Sequence, residues 1–141
     1  MAKILLVDDD ALLVRMYQTK LKADGYEVET ASDGNEGFNK TKVFKPDLIL
    51  LDVMMPKVNG FEMLQKLKEN LYTKKIPVIL LTNVGGSEAD IEKGLSLGAV
   101  AYLIKANFLP KEIVQKVKEI LAGYKRDLPE VKTTIKADLS T

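Results

Sequence analysis

Five short apolar runs, separated by stretches of helical period, constrain this chain more than any other feature. They occupy residues 4–7, 28–31 (interrupted by Glu29), 48–51, 78–81 and 99–104. Apolar runs of this length without strict alternation read as strands covered on both faces, the pattern of a parallel sheet. The stretches between them are long enough for crossover helices. Residues 11–24 put Leu13, Tyr17 and Leu21 on one face, and Gly25 follows as a stop signal. Residues 59–71 align Leu64, Leu67 and Leu71. Residues 110–124 open with Pro110, which suits a first helical turn. They carry a stripe of Ile113, Val117, Ile120 and Tyr124, widened by Val114 and Leu121. Residues 34–44 and 86–97 complete the set, although Gly37 and Gly94 weaken helix propensity there. The order βαβαβαβαβα predicts an α/β domain: an open, doubly wound parallel sheet with helices on both faces.

Composition narrows what such a domain can do. With 141 residues, 46% of them apolar, the chain can fill one core, and a second domain does not fit beside it. Lysine and arginine number 21 against 20 acids, so there is no basic excess of the kind that direct nucleic-acid binding calls for. Cysteine is absent, which excludes disulfides, thiolate metal sites and cysteine nucleophiles. Histidine is absent as well, so no imidazole serves as base, metal ligand or phosphoryl carrier. The longest unbroken apolar run, 99–104, falls far short of the ~20 residues of a membrane span. Met1-Ala2-Lys3 followed by four apolar residues and three aspartates does not make a signal peptide, so a soluble, cytoplasmic protein is expected. Residues 125–141 break the alternation with Leu128-Pro129 and a strand-like Val131-Lys132-Thr133-Thr134-Ile135, and read as a tail.

In a doubly wound sheet, chemistry gathers at the carboxyl ends of the strands. The first run ends in Asp8-Asp9-Asp10, the third in Asp52, the fourth in Thr82-Asn83 and the fifth in Lys105. Clustered carboxylates repel one another unless a cation intervenes. With no cysteine or histidine available, that cation is hard and oxygen-loving, which points to Mg²⁺. Asp8, Asp9 and Asp52 together carry three negative charges; Mg²⁺ and Lys105 would bring the site near neutrality and admit a phosphoryl group. Asp52, closing the central run, is the best-placed nucleophile for an aspartyl-phosphate. Lys105 and Thr82 could then engage the transferring oxygens.

Each residue also has a plainer reading. Asp10 suits an N-cap for the first helix better than a ligand. Thr82 alone is a strand-end residue, Lys105 alone a surface lysine, and Met54 and Met55 fill space. Asp52 is harder to dismiss, because an acid closing four buried apolar positions is costly without a purpose. The joint pattern at four strand ends is far more specific than any member.

That pattern resembles the receiver domain of bacterial two-component response regulators over residues 1–124. The matching segments are Lys3-Ile4-Leu5-Leu6-Val7-Asp8-Asp9-Asp10, Asp47-Leu48-Ile49-Leu50-Leu51-Asp52-Val53-Met54-Met55-Pro56, Asn59-Gly60, Pro77-Val78-Ile79-Leu80-Leu81-Thr82 and Gly98-Ala99 before Tyr102-Leu103-Ile104-Lys105. The resemblance implies a flavodoxin-like (CheY-like) sheet of order 2-1-3-4-5. It implies that Asp52 is the phosphoacceptor, and that Asp9 and Asp52 ligate Mg²⁺ directly. Asp8 would act largely through water, and the Met54 backbone carbonyl would complete the protein ligands. Thr82 and Lys105 would contact the phosphoryl group, and Tyr102 would be the switch aromatic. Two departures stand out. Ala106 follows Lys105 where receivers usually have proline after a cis bond, and a trans bond is expected here because a cis bond before a residue other than proline costs roughly 2.5–4 kcal/mol. Asn83 follows Thr82 where a small residue is usual.

The sequence thus predicts a single-domain switch: a receiver over 1–124, a tail over 125–141 and no separate output domain. A sensor histidine kinase or histidine phosphotransfer protein would supply the phosphoryl group, and the face formed by residues 86–124 would recruit a target protein or a second copy of the chain. Competing readings are a receiver-like scaffold that works without phosphorylation and a phosphatase of the haloacid dehalogenase type. The second places an acid two positions after its nucleophile, where this chain has Met54. A flavin- or nucleotide-binding domain is disfavoured, since three aspartates in the first loop would repel phosphate.

Overall fold

A computed structural model describes residues 2–55, 59–82 and 87–123. The elements alternate throughout: β1 (Lys3–Val7), α1 (Ala11–Ala23), β2 (Glu27–Ala31), α2 (Gly34–Phe44), β3 (Leu48–Asp52), α3 (Gly60–Glu69), β4 (Val78–Thr82), α4 (Glu88–Ser96), β5 (Ala101–Ile104) and α5 (Pro110–Leu121). The five strands are parallel and ordered β2-β1-β3-β4-β5, as the resemblance implied. Every residue of β3, β4 and β5 is buried, whereas edge strand β2 alternates between exposed and buried positions. Edge position alone does not decide this, because β5 is an edge strand too and is buried throughout; coverage by helices on both faces of the sheet is what buries a strand.

Register sets the site. Val7 pairs with Leu51, Asp52 with Leu81, and Thr82 with Ile104. One step past these pairs the chain reaches Asp8 beside Asp52, and Lys105 beyond Thr82, so residues far apart in sequence arrive at one sheet edge.

The helices form where their signals lie. Asp10 caps α1, its carboxylate accepting from the N–H groups of Leu12 (3.0 Å) and Leu13 (3.2 Å), which bears out its plainer reading. Pro110 opens α5, whose Ile113, Val114, Val117 and Ile120 are buried. Gly94 weakens α4 as an isolated helix but serves its packing. A Cβ there would stand 2.6 Å from Leu80 Cδ1 and 2.9 Å from Tyr102 Cδ2, so only glycine lets the helix lie this close to the sheet.

Three expectations need correction. Leu71 does not join the α3 stripe: the helix ends at Glu69, Asn70 turns to extended backbone, and Leu71 is 75% exposed. Met63 takes its place in the core with Leu64 and Leu67. β5 starts at Ala101, with Ala99 and Val100 in the preceding turn. Met54 does not fill space, for its side chain is 66% exposed, while Met55 does pack against the core. Pro56, Asn83, Tyr124 and the tail 125–141 lie outside the described residues.

Candidate functional site

Asp8, Asp52, Thr82 and Lys105 are buried at the carboxyl edge of the sheet, and Asp9 beside them is exposed. One carboxylate oxygen from each of Asp8, Asp9 and Asp52 lies within 4.8 Å of the other two. Asp8 is fully engaged. Its Oδ1 accepts from the Asp10 N–H at 2.9 Å, and its Oδ2 accepts from Lys105 Nζ at 2.6 Å. Asp52 is not. Only 3% exposed, it has the Lys105 ammonium 3.4 Å from Oδ1, an ion-pair distance, yet that oxygen has no aligned hydrogen-bond donor. A buried carboxylate oxygen without a donor is costly unless another group completes it. Burial, and then repulsion from Asp8, push the Asp52 carboxyl up to about 6, and the Lys105 ammonium opposes that rise only in part.

The donor set fits a hard divalent cation: three carboxylates, one of them with an orphaned oxygen, and no cysteine or histidine anywhere in the chain. On the flank toward β2 and α2, a cavity of about 340 Å³ opens against Asp8 and Asp9 and is walled by Arg15, Gln18, Ser32 and Lys40. The acidic cluster is therefore reachable from solvent.

Lys105 reaches this cluster without the usual proline behind it. It opens a 3₁₀ turn, Lys105–Asn107, and no cis peptide occurs among the described residues, so the trans expectation at Ala106 holds. Tyr102 is 2% exposed, its ring 6.4 Å from that of Phe61 and pressed against Gly94. Burial, and then the charge of Asp90, push its phenol up to about 12, and the nearby Thr82 hydroxyl opposes that rise in part. Thr82 lies two residues beyond Leu80, the strand partner of Tyr102, so the two side chains share one face of β4 and β5.

Two contributors escaped the sequence reading. Tyr17 is buried in α1 near Asp8, whose charge, after burial, raises its phenol to about 12. Gly60 stands where α3 meets the end of β3: its N–H donates to the Val53 carbonyl at 3.0 Å, and a Cβ there would collide with the Asp52 carbonyl oxygen. The Asn59-Gly60 pair signalled a motif, but only the backbone contact supplies its reason.

This arrangement coincides with a family. The profile of the response regulator receiver domain matches residues 4–118. The chain belongs to the response regulator receiver domain family. Among curated relatives, this receiver domain is 44% identical over 119 residues to the alkaline phosphatase synthesis transcriptional regulatory protein PhoP of Bacillus subtilis (strain 168), covering 84% of this chain and 48% of the relative. It is 40% identical over 132 residues to the probable transcriptional regulator ycf27 of Cyanophora paradoxa, covering 94% of this chain and 52% of that one. The chain thus spans about half the length of these relatives. Among solved structures, the Vibrio cholerae chemotaxis protein CheY4 matches with a TM-score of 0.78 and 34% identity over 84% of this chain and 98% of its own. A CheY-like receiver domain protein from Methanospirillum hungatei JF-1 matches with a TM-score of 0.81 and 30% identity, over 90% and 98% respectively.

Proposed function

We propose that this receiver domain takes a phosphoryl group onto Asp52 and passes the signal on by protein contact. The observation that carries the reading is the buried Asp52 carboxylate with an unpartnered oxygen, set between two further carboxylates and a lysine. Asp9 and Asp52 would hold Mg²⁺ directly with the Met54 backbone carbonyl, and Asp8 largely through water. When bound, the cation offsets negative charge on the carboxylates and the incoming phosphoryl oxygens.

The chain's own groups do the rest. An Asp52 oxygen attacks phosphorus in line, the bond from phosphorus to the donor breaks, and its electron pair leaves with the donor. Lys105 Nζ, already beside Asp52, and the Thr82 hydroxyl neutralise and orient the transferred oxygens. Water later attacks the acyl phosphate and returns the carboxylate, so the domain catalyses only its own phosphorylation and dephosphorylation. The donor is a sensor histidine kinase or histidine phosphotransfer protein, consistent with a chain that has no histidine of its own.

Output follows from Thr82 and Tyr102. Drawing Thr82 toward a phosphoryl group moves it relative to Tyr102, its neighbour on the same face of β4 and β5, and biases a pre-existing equilibrium of the 86–124 face. That face, of which 87–123 are described, would bind a downstream target or a second copy of the chain in a phosphorylation-dependent homodimer. The receiver spans 1–124, with 125–141 as its tail. Direct nucleic-acid contact plays no part, and the setting is the cytoplasm; no helix among the described residues is long and apolar enough to cross a membrane.

The test is intact mass after incubation with acetyl phosphate, with and without Mg²⁺. One phosphoryl unit should appear on the wild type only with Mg²⁺ and never on Asp52→Ala. Equal labelling of that variant would overturn the reading.

A further inference from the structure

A second concavity lies at the opposite end of the sheet from Asp52, where α2 and α3 finish and β3 and β4 begin. It has a volume of about 560 Å³ and is lined by Lys42, Lys45 and Pro46 on one side and by Asn70, Tyr72 and Ile76 on the other. Its rim is unusual for a loop. Leu71 and Tyr72 stand 75% and 92% exposed side by side, held out by an Asx turn in which the Tyr72 N–H donates to Asn70 Oδ1 at 2.8 Å. Large apolar side chains this exposed, next to a preformed hollow, mark contact surfaces more often than chance.

The charge of the hollow has one sign. No acidic residue lines it. Lys42, held over the Phe38 ring at 4.8 Å, and Lys45 line the wall, while Lys74 and Lys75 stand exposed in the loop between the lining residues Thr73 and Ile76. The ammonium groups of Lys45, Lys74 and Lys75 make no hydrogen bond or ion pair among the described residues. Asp47 and Glu69 flank the lining segments in sequence and offset part of this charge, so the four lysines 42, 45, 74 and 75 keep an excess of two. Lys42 and the C-cap Lys45 offset the α2 dipole, whereas Lys74 and Lys75 lie beyond the end of α3, so part of the basic excess goes beyond that need.

We propose that this hollow docks an acidic segment of a partner protein, with an apolar side chain seated against Tyr72 and Ile76 and carboxylates facing Lys45, Lys74 and Lys75. The Thr41 and Thr73 hydroxyls spend their protons on the Gly37 and Leu67 carbonyls, so the lysine ammonium groups are the charged donors this hollow offers an anion. The chain's own residues 124–141 are a poor occupant, with four basic residues against three acidic. The site is remote from the phosphoacceptor edge, so occupancy and phosphorylation can be read separately.

The experiment is display selection of random twelve-residue peptides on the full chain, with binding measured on wild type, Tyr72→Ala and the paired Lys45→Glu, Lys75→Glu variant. Recovered peptides should be rich in Asp and Glu around one apolar residue and should shift the amide resonances of 41–46 and 70–76. Both variants, checked for unchanged melting temperature, should lose at least tenfold in affinity while still accepting phosphoryl from acetyl phosphate. Peptides without acidic excess, or with equal affinity for the variants, would overturn the proposal. So would tighter binding of single-stranded oligonucleotides at these resonances, or concentration-dependent self-association that Lys45→Glu abolishes.

Discussion

Lys105 belongs first to Asp8: their 2.6 Å contact is far shorter than the 3.4 Å from the same ammonium to Asp52. The lysine therefore neutralises a neighbouring acid, and Asp52 is the less satisfied of the two carboxylates. Removing one partner of a buried ion pair leaves an uncompensated charge. Lys105→Met should cost about 3 kcal/mol at neutral pH without Mg²⁺, measured by urea unfolding. Combining it with Asp8→Asn should cost clearly less than the two single changes added together, and strict additivity would show that the contact carries no coupling.

Asp52 makes stability depend on pH with a sign opposite to that of a salt-bridged carboxylate. Its folded value of about 6 lies above the ordinary 3.8, so between these values the folded state holds the proton more tightly than the unfolded chain. This contribution is fully present below pH ~4 and is lost as pH rises through 6, a swing of about 3 kcal/mol at 1.36 kcal/mol per unit. Subtracting the Asp52→Asn profile in EDTA isolates it. The difference should favour the variant increasingly up to pH ~7, and a flat difference would show that Asp52 titrates normally.

Mg²⁺ should reverse that penalty. A ligand held only by the folded state stabilises by mass action, about 1.4 kcal/mol at tenfold over its Kd. The melting temperature of the wild type should rise with Mg²⁺, and Asp9→Asn and Asp52→Asn should each lose most of the rise. If both variants keep the full response, the ion binds elsewhere.

Gly60→Ala tests the join between α3 and β3. Alanine normally favours a helix over glycine by roughly 0.5–1 kcal/mol. Here its methyl would meet the backbone of Asp52 and Val53, which cannot rotate away. We expect a net loss of about 2 kcal/mol, typical of overpacking. Labelling of Asp52 by acetyl phosphate should slow at least tenfold. A stabilised variant that labels normally would remove Gly60 from the site's support.

Much of this architecture was legible because its signals are local. Five short strand runs, the Asp10 cap and the α5 stripe each lie within a few residues of chain, where periodicity and capping chemistry act. The same is true of the chemistry on offer: acids, one hydroxyl and one lysine at strand ends, with histidine and cysteine absent, already named the ligand type. Leu71 shows where such reasoning fails. Its spacing matched the α3 stripe, but Asn70 turned the chain first, and spacing carries no record of where a helix stops.

What only the tertiary structure decided was how separated groups share one edge. The pairing of Val7 with Leu51 and of Thr82 with Ile104 brings residues 8, 52, 82 and 105 together, and that register is set by long-range strand contacts. The tertiary structure also decided that Lys105 would favour Asp8, that one Asp52 oxygen would be left without a donor, and that Gly60 would need to be bare. The sequence determined which groups were present and on which elements. Distances of a few tenths of an ångström, and the burial that turns them into energies, arise only when the whole sheet is assembled.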